Sequence, residues 1–353
     1  ENHTPSASGI KAHAQIVKDK SILREIIIAA AHIQNRSYQH EGDIAILLDE
    51  VGQSLIGLSD QTTAKGFVHT GESIGEVIDF VQQRINSKGG LIGLSTGFVD
   101  LDKMTAGLQK SDLIIVAARP SAGKTSIALN IAHNVAQQGK PVGILSLEMS
   151  RSQLILRLVC SEARVNGQRV RLGDLQDADA AKIANAAYLV GSLPIYIDDQ
   201  ATSNILSLRA KIRKLKREQK IELLIIDYLQ LMEGNGEENR NQEVSTISRG
   251  LKTLAKELNI PIIALSQLNR QLEQRNDKRP TMSDLRDSGA IEADADMIIF
   301  IYRDELHKKN SPDKGKAEII IGKQRNGPIG SIFLQFNSDY TRFNNLTMEN
   351  TNG

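Results

Sequence analysis

From residue 97 onward the apolar positions come in short unbroken runs, at 113–117, 142–146, 195–197, 223–226, 260–265 and 297–301. Runs without alternation predict strands buried on both faces, and the stretches between them carry helical periodicity. Strand and helix in turn predict a parallel sheet with helices on both sides. Two further runs, 317–321 and 332–336, flank Gly322-Lys323-Gln324-Arg325-Asn326-Gly327-Pro328, which reads as an antiparallel hairpin with a basic, exposed loop.

Before residue 97 only the helical period is present. Ile16, Val17, Leu23, Ile26 and Ile27 mark one helix, and Ile44, Leu47, Leu48, Val51 and Leu55 a second, within residues 10–57. Two helices make a poor core, so this piece is expected to pack on something outside the chain or on another subunit. After a loop at 58–71, Ile74, Val77, Ile78, Val81 and Ile85 form an isolated amphipathic stripe that stops at Ser87-Lys88-Gly89-Gly90. Such a helix either docks on a neighbour or folds back on its own domain.

Composition narrows this little. With 353 residues, 40% hydrophobic and 24% charged, the chain has the make-up of a soluble globular protein, one large α/β domain plus something smaller. The run 26–31 is closed by His32 and Gln34, too short to span a membrane, and no secretory signal is read. The start at Glu1 rather than Met predicts a piece of a longer chain. The single cysteine, Cys160, reads as a buried thiol in a reducing cytoplasm. Net charge +1 means that any nucleic-acid contact must come from local loops, and the basic run 209–220 reads as a solvated helix face.

The strongest chemical signal is Ala118-Arg119-Pro120-Ser121-Ala122-Gly123-Lys124-Thr125, set between a strand and a helical pattern. Strand, tight loop and helix start form a phosphate cradle, with Lys124 for the β- and γ-phosphates and the Thr125 hydroxyl for Mg2+. Ala118 stands where the pattern has its first glycine. Asp227 ends the apolar run 223–226, where a carboxylate can hold Mg2+ through water. Glu148, after the run 142–146, is either the base that polarises an attacking water or an acid favoured by a helix N-terminus. Gln267 is either a γ-phosphate sensor or a polar strand end. The loop 233–242, with Arg240 as its only base, and Asp284-Leu285-Arg286-Asp287-Ser288-Gly289 are candidates for nucleic acid, though composition alone makes both ordinary loops. On the hairpin, Lys323 and Arg325 can reach the γ-phosphate of a neighbouring subunit.

Taken together, these stretches closely resemble the bacterial replicative hexameric helicases of the DnaB type, which have a RecA-like motor domain. The resemblance rests on residues 97–102, 118–125, Ser146-Leu147-Glu148-Met149, Ile226-Asp227-Tyr228-Leu229-Gln230, Leu265-Ser266-Gln267-Leu268, 284–289 and Lys323-Gln324-Arg325-Asn326-Gly327, in the family's order. It implies a RecA-like P-loop core with a mostly parallel sheet, ATP and Mg2+ as ligands, a homohexamer, and movement on single-stranded DNA from 5' to 3'. By that resemblance Lys124 and Thr125 contact phosphate and metal, Glu148 is the base, Asp227 the second metal-side acid, and Gln267 the sensor. Arg325 becomes the finger acting in trans with Lys323 as companion, and Arg286, Asp287 and Gly289 the DNA grip. Residues 1–57 become a remnant of the family's collar domain, 58–96 a linker whose helix at about 72–86 packs on the next subunit, 97–345 the motor and 346–353 a tail. Primase and a helicase loader are expected partners of the full-length protein, with no membrane. The expected setting is the cytoplasm of a bacterium, a plastid stroma or a phage-infected cell. The alternatives are a RecA-like recombinase or DNA-scaffolding ATPase and, from a further class, a small-molecule kinase, for which no acceptor pocket is legible.

Overall fold

The computed structural model of the chain describes residues 7–39, 47, 51, 69–86, 91–200, 205–227, 240–308 and 310–346. Two compact units divide it, Glu1–Lys88 and Gly89–Gly353. In the first, α1 (Ala7–Tyr38) is a single long helix whose Ile16, Val17, Leu23, Ile26 and Ile27 are all exposed. The second helix expected within 44–55 lies outside the described residues except for Leu47 and Val51. Helix α2 (Thr70–Asn86) starts two residues ahead of the expected 72, because the His69 ring Nδ1 accepts the Gly71 N–H at 3.2 Å and caps it there. Its stripe of Ile74, Val77, Ile78, Val81 and Ile85 is 48–69% exposed.

The second unit opens with α3 (Val99–Thr105) and then alternates as expected: β1 (Leu113–Ala118), α4 (Lys124–Gln137), β2 (Val142–Ser146), α5 (Arg151–Ala163), α6 (Gly167–Leu172), α7 (Asp177–Ser192) and β3 (Ile195–Asp198). There follow α8 (Ile205–Gln219), β4 (Leu223–Asp227), α9 (Arg240–Leu258), β5 (Ile262–Gln267), a 3-10 turn (Met282–Ser288), α10 (Gly289–Asp294) and β6 (Met297–Tyr302). The chain closes with β7 (Lys316–Gln324), β8 (Gly330–Asn337) and β9 (Arg342–Asn345). One sheet holds all nine strands in the order β3-β2-β4-β5-β1-β6-β7-β8-β9. The pairings from β3 to β6 are parallel and those from β6 to β9 antiparallel. Ile114 and Val116 of β1 belong to one core, with Ile127 and Ile131 of α4 and Leu158 of α5. Leu113 and Ile115 belong to the other, with Leu208 of α8 and Leu251 of α9. Burial on both faces explains why the strands lack alternation, each such Ile or Leu contributing roughly 1.5–3 kcal/mol.

Several sequence expectations shift. Strand β5 begins at Ile262 rather than 260, because Pro261 has no N–H and the Ile260 N–H returns to Ala255 O of α9. Strand β7 runs to Gln324, so Lys323 is a strand residue and not part of an exposed loop. A bulge beside Ile298 and Ile299 skips Gly322, where a Cβ would lie 2.5 Å from the Phe300 ring. Strand β9 went unpredicted, since Arg-Phe-Asn-Asn buries only Phe343. The basic helix α8 is not charged all round: Leu208 and Ile212 are buried, Arg209 and Arg213 share Glu257, and Lys211 pairs with Asp198. As expected, Cys160 is a buried free thiol.

Candidate functional site

At the carboxyl end of β1 the chain turns through Arg119–Gly123 into α4. Ser121 and Gly123 have φ of +67° and +106°, and a Cβ on Gly123 would come within 2.8 Å of the Phe343 ring, so both conformation and space require glycine there. Gly123 brings no capping side chain to the start of α4, which leaves first-turn N–H groups facing the loop's concavity.

Three parallel strands deliver side chains to this loop. The Thr125 hydroxyl donates to Asp227 Oδ2 at 2.7 Å, and Lys124 Nζ lies 3.6 Å from Asp227 Oδ1. Asp227 ends β4, and its carbonyl accepts the Leu147 N–H at 2.6 Å, joining the ends of β4 and β2. Beyond that bond Ser146 Oγ donates to Met149 O at 2.7 Å, fixing the turn that presents the exposed Glu148. Burial pushes the Lys124 ammonium below the ordinary lysine range, against the opposing pull of Asp227 and Glu148. A residue missed in the sequence enters here: Arg157 of α5, held down by burial and by Arg171, also feels Asp227 and Glu148. Its signal was legible, a lone arginine inside the apolar run 154–160.

Asp227 Oδ1 is buried and has no hydrogen-bond partner. A buried carboxylate oxygen left in that state beside a threonine hydroxyl suits a hard divalent cation, so these residues fit Mg2+.

Behind the loop a cavity of about 480 Å³ is lined by Arg119, Ser121, Glu273, Lys278, Tyr302 and Arg303, among others. Arg303 donates to Ser121 O at 3.2 Å and lies over the Phe336 ring, 4.0 Å from its centre. The Arg119 side chain, expected as a ligand contact, is engaged within the chain by Glu273 and by Leu268 O at 2.7 Å, which leaves the cradle to its backbone. Pro120 and Ala122 also line this side. Gln267, exposed at the end of β5, is in register with Ala118, and the Leu268 N–H donates to Ala118 O at 3.1 Å.

The hairpin cations sit elsewhere. The Asp296 N–H donates to Leu113 O at 2.9 Å, and the Arg325 N–H to Asp296 O at 2.9 Å, which puts Arg325 at the amino end of β1. The cradle starts at its carboxyl end, five residues or about 17 Å away.

For the candidate DNA residues the outcome is mixed. Arg240 is not in a loop: the backbone at 240–242 is already helical, held by the apolar stripe Val244, Ile247, Leu251 and Leu254 of α9, and 228–239 lie outside the described residues. Arg286 and Asp287 lie in the 3-10 turn, their side chains outside the described set. Gly289 has φ −52° and open space where a Cβ would go, so neither strain nor crowding within the chain demands glycine.

Comparison with known proteins converges on one group. The family model described as the DnaB-like helicase C terminal domain matches residues 93–345. The chain is 47% identical to the replicative DNA helicase DnaB of Geobacillus stearothermophilus over 345 residues, 97% of this chain and 76% of that protein. It is 46% identical to the replicative DNA helicase DnaC of Bacillus subtilis (strain 168), over 98% of this chain and 77% of that protein. A solved structure of an ATPase domain superposes with TM-score 0.75 at 40% identity, covering 78% of this chain and 99% of that one. A DnaB-like replicative helicase, solved in a study of its interactions with primase, superposes at 0.82 and 35% identity, covering 98% of this chain and 81% of that one. The chain belongs to the DnaB-like helicase family.

Proposed function

We propose that this chain is the ATP-hydrolysing motor of a replicative DNA helicase, working as a ring of six in which each active site is shared by two subunits. The observation that carries the reading is the separation of parts. Lys124, Thr125, Asp227 and Glu148 gather at one end of β1, while Arg325 and Lys323 stand at the other. About 17 Å is beyond what an arginine side chain spans, so Arg325 is best placed for a neighbour's cradle.

In this reading Lys124 and the backbone of 118–125 bind the phosphates. Glu148 takes the proton of the attacking water, Arg157 and the in-trans Arg325 stabilise charge on the γ-phosphate, and Gln267 senses its loss. Thr125 and Asp227 hold Mg2+, which neutralises developing phosphate charge when bound. Backbone contacts from 284–289 with Arg286, Asp287 and Gly289, and from Arg240, make binding of single-stranded DNA sequence-independent and salt-sensitive, with travel from 5' to 3'. The exposed stripe of α2 is the surface that closes the ring. The remnant helices at 1–57, the linker at 58–96 and the motor at 97–345 follow the same division, with primase and a loader as partners in a bacterial cytoplasm. No described helix is long and apolar enough to cross a membrane.

Electron microscopy with ATP, Mg2+ and single-stranded DNA tests the reading. Closed six-membered rings are expected; open filaments on the DNA would instead indicate a recombinase-like ATPase.

A further inference from the structure

The Arg119 side chain ties the loop of the cradle to the segment that leaves β5. Arg119 Nη1 donates to Leu268 O at 2.7 Å, and the Leu268 N–H donates to Ala118 O at 3.1 Å. Residues 118 and 119 therefore hold both the N–H and the carbonyl of Leu268, at the step where the ladder between β1 and β5 ends with Ala118 opposite Gln267. The Arg119 side chain is 13% exposed, so its guanidinium is committed to partners within the chain rather than to solvent.

Glu273 aims that guanidinium. Its Oε1 accepts Arg119 Nε at 2.9 Å and Nη2 as well, which leaves Nη1 for the Leu268 carbonyl. The same hydrogen bonds from Arg119 hold the Glu273 carboxyl below the ordinary glutamate range. Glu273 stands on a 3-10 turn, Arg270–Gln274, which the Asn269 side chain caps by accepting the Gln271 N–H at 3.1 Å and which the buried Leu272 anchors. The turn is thus held in place by contacts other than Arg119. With a Glu273 side chain 53% exposed, the ion pair adds little to the stability of the fold, and what it decides is where Arg119 points.

We propose that Glu273 is a positioning residue for ATP hydrolysis: it fixes Arg119 on the Leu268 carbonyl and so holds Gln267 in a set stance toward the cradle. This rests on the reading of Gln267 as the γ-phosphate sensor. A side-chain amide reads a phosphate well only when its backbone is fixed to the groups that hold the rest of the nucleotide, and Arg119 joins the two in one step. Without Glu273 the bond from the Leu268 N–H to Ala118 O is left, but the guanidinium is free to swing off the Leu268 carbonyl. The cost then falls on the γ-phosphate and the transition state, and spares the phosphates met by the backbone of the cradle.

The test is turnover of ATP by the full chain, together with its affinity for a fluorescent ADP and for a fluorescent imido analogue of ATP, all with Mg2+. Glu273→Ala is expected to lower kcat about tenfold and the preference for the imido analogue over ADP about threefold or more, with ADP affinity within about twofold of wild type. Glu273→Gln keeps an acceptor for Arg119 and should recover part of both; if the alanine variant fails to fold, the glutamine variant carries the test with a smaller fall in the same direction. Gln267→Ala should lower the same preference, and in that background Glu273→Ala should add little, because both act on one contact. Wild-type kcat and preference in the Glu273 variants, equal losses for ADP and the analogue, or full additivity with Gln267→Ala overturns the proposal. Failure of the underlying reading shows separately: Gln267→Ala would then keep the wild-type preference, whereas a loss in Gln267→Ala with none in the Glu273 variants sinks the positioning role alone.

Discussion

The two ends of β1 bury charge to opposite purposes. At the carboxyl end, burial pushes the Lys124 ammonium below the ordinary lysine range, and Asp227 is met only by the Thr125 hydroxyl and by Lys124 at 3.6 Å, two groups that belong to the loop that turns into α4. At the amino end, the Asp296 carboxylate already has Lys252, the Leu113 N–H and Arg325 as partners inside the chain. The unfavourable charge there is Asp112, pushed up to about 6 by burial first and by Asp296 second. A site poised for a substrate keeps its desolvation cost until the substrate arrives, whereas a structural cluster offsets that cost with its own partners.

Substitutions at each end should separate these roles. Lys124→Ala removes the cation proposed to meet the phosphates, so ATP hydrolysis should fall by about a thousandfold or more and strand separation with it. Unwinding at the wild-type rate by that variant would disprove the motor assignment. Arg325→Ala should keep nucleotide binding, as read by a fluorescent analogue, yet lose hydrolysis by about a thousandfold. Mixing it with Lys124→Ala subunits should restore part of the turnover, because some interfaces then pair an intact cradle with an intact finger.

A smaller effect is expected for Arg157→Ala, on the order of a hundredfold in kcat with less change in KM. A larger rise in KM than fall in kcat would make Arg157 a ground-state binding residue. The smallest effect sharpens the amino end. Asp112 is neutral more readily folded than unfolded, so its raised value supports the fold below about pH 4 and that support is lost as pH rises through about 6. Asp112→Asn should therefore gain stability relative to wild type across that window, by up to about 3 kcal/mol. Urea titrations at pH 4.5 and 7.5 measure it, and a gain no larger at the higher pH would contradict the burial account.

Much of this architecture was legible in the order of residues. Unbroken apolar runs predicted the parallel strands because both faces of such a sheet are covered, and Gly123-Lys124-Thr125 behind one of them located the cradle. Local patterning also found α2, whose stripe repeats at helical spacing over a segment too polar elsewhere to be core. Strand β9 and Arg157 escaped: the first is mostly polar and is ordered by pairing with β8 and by bonds to Asn130 and Ser161, and the second is a single charge on α5 whose charged neighbours Arg171, Asp227 and Glu148 come from other elements. Gly289 was singled out as the glycine of the 284–289 loop, and nothing inside the chain requires a glycine there.

The sequence by itself determined the alternation of strand and helix, the family resemblance and the candidates for reactive side chains, because each depends on periodicity or on residues a few positions apart. Only the tertiary structure decided that Thr125 meets Asp227, that Arg303 lies over Phe336, and that Arg325 stands at the far end of β1 from its own cradle. Those facts follow from strand order and register, and contacts between residues far apart along the chain carry no local signature in it.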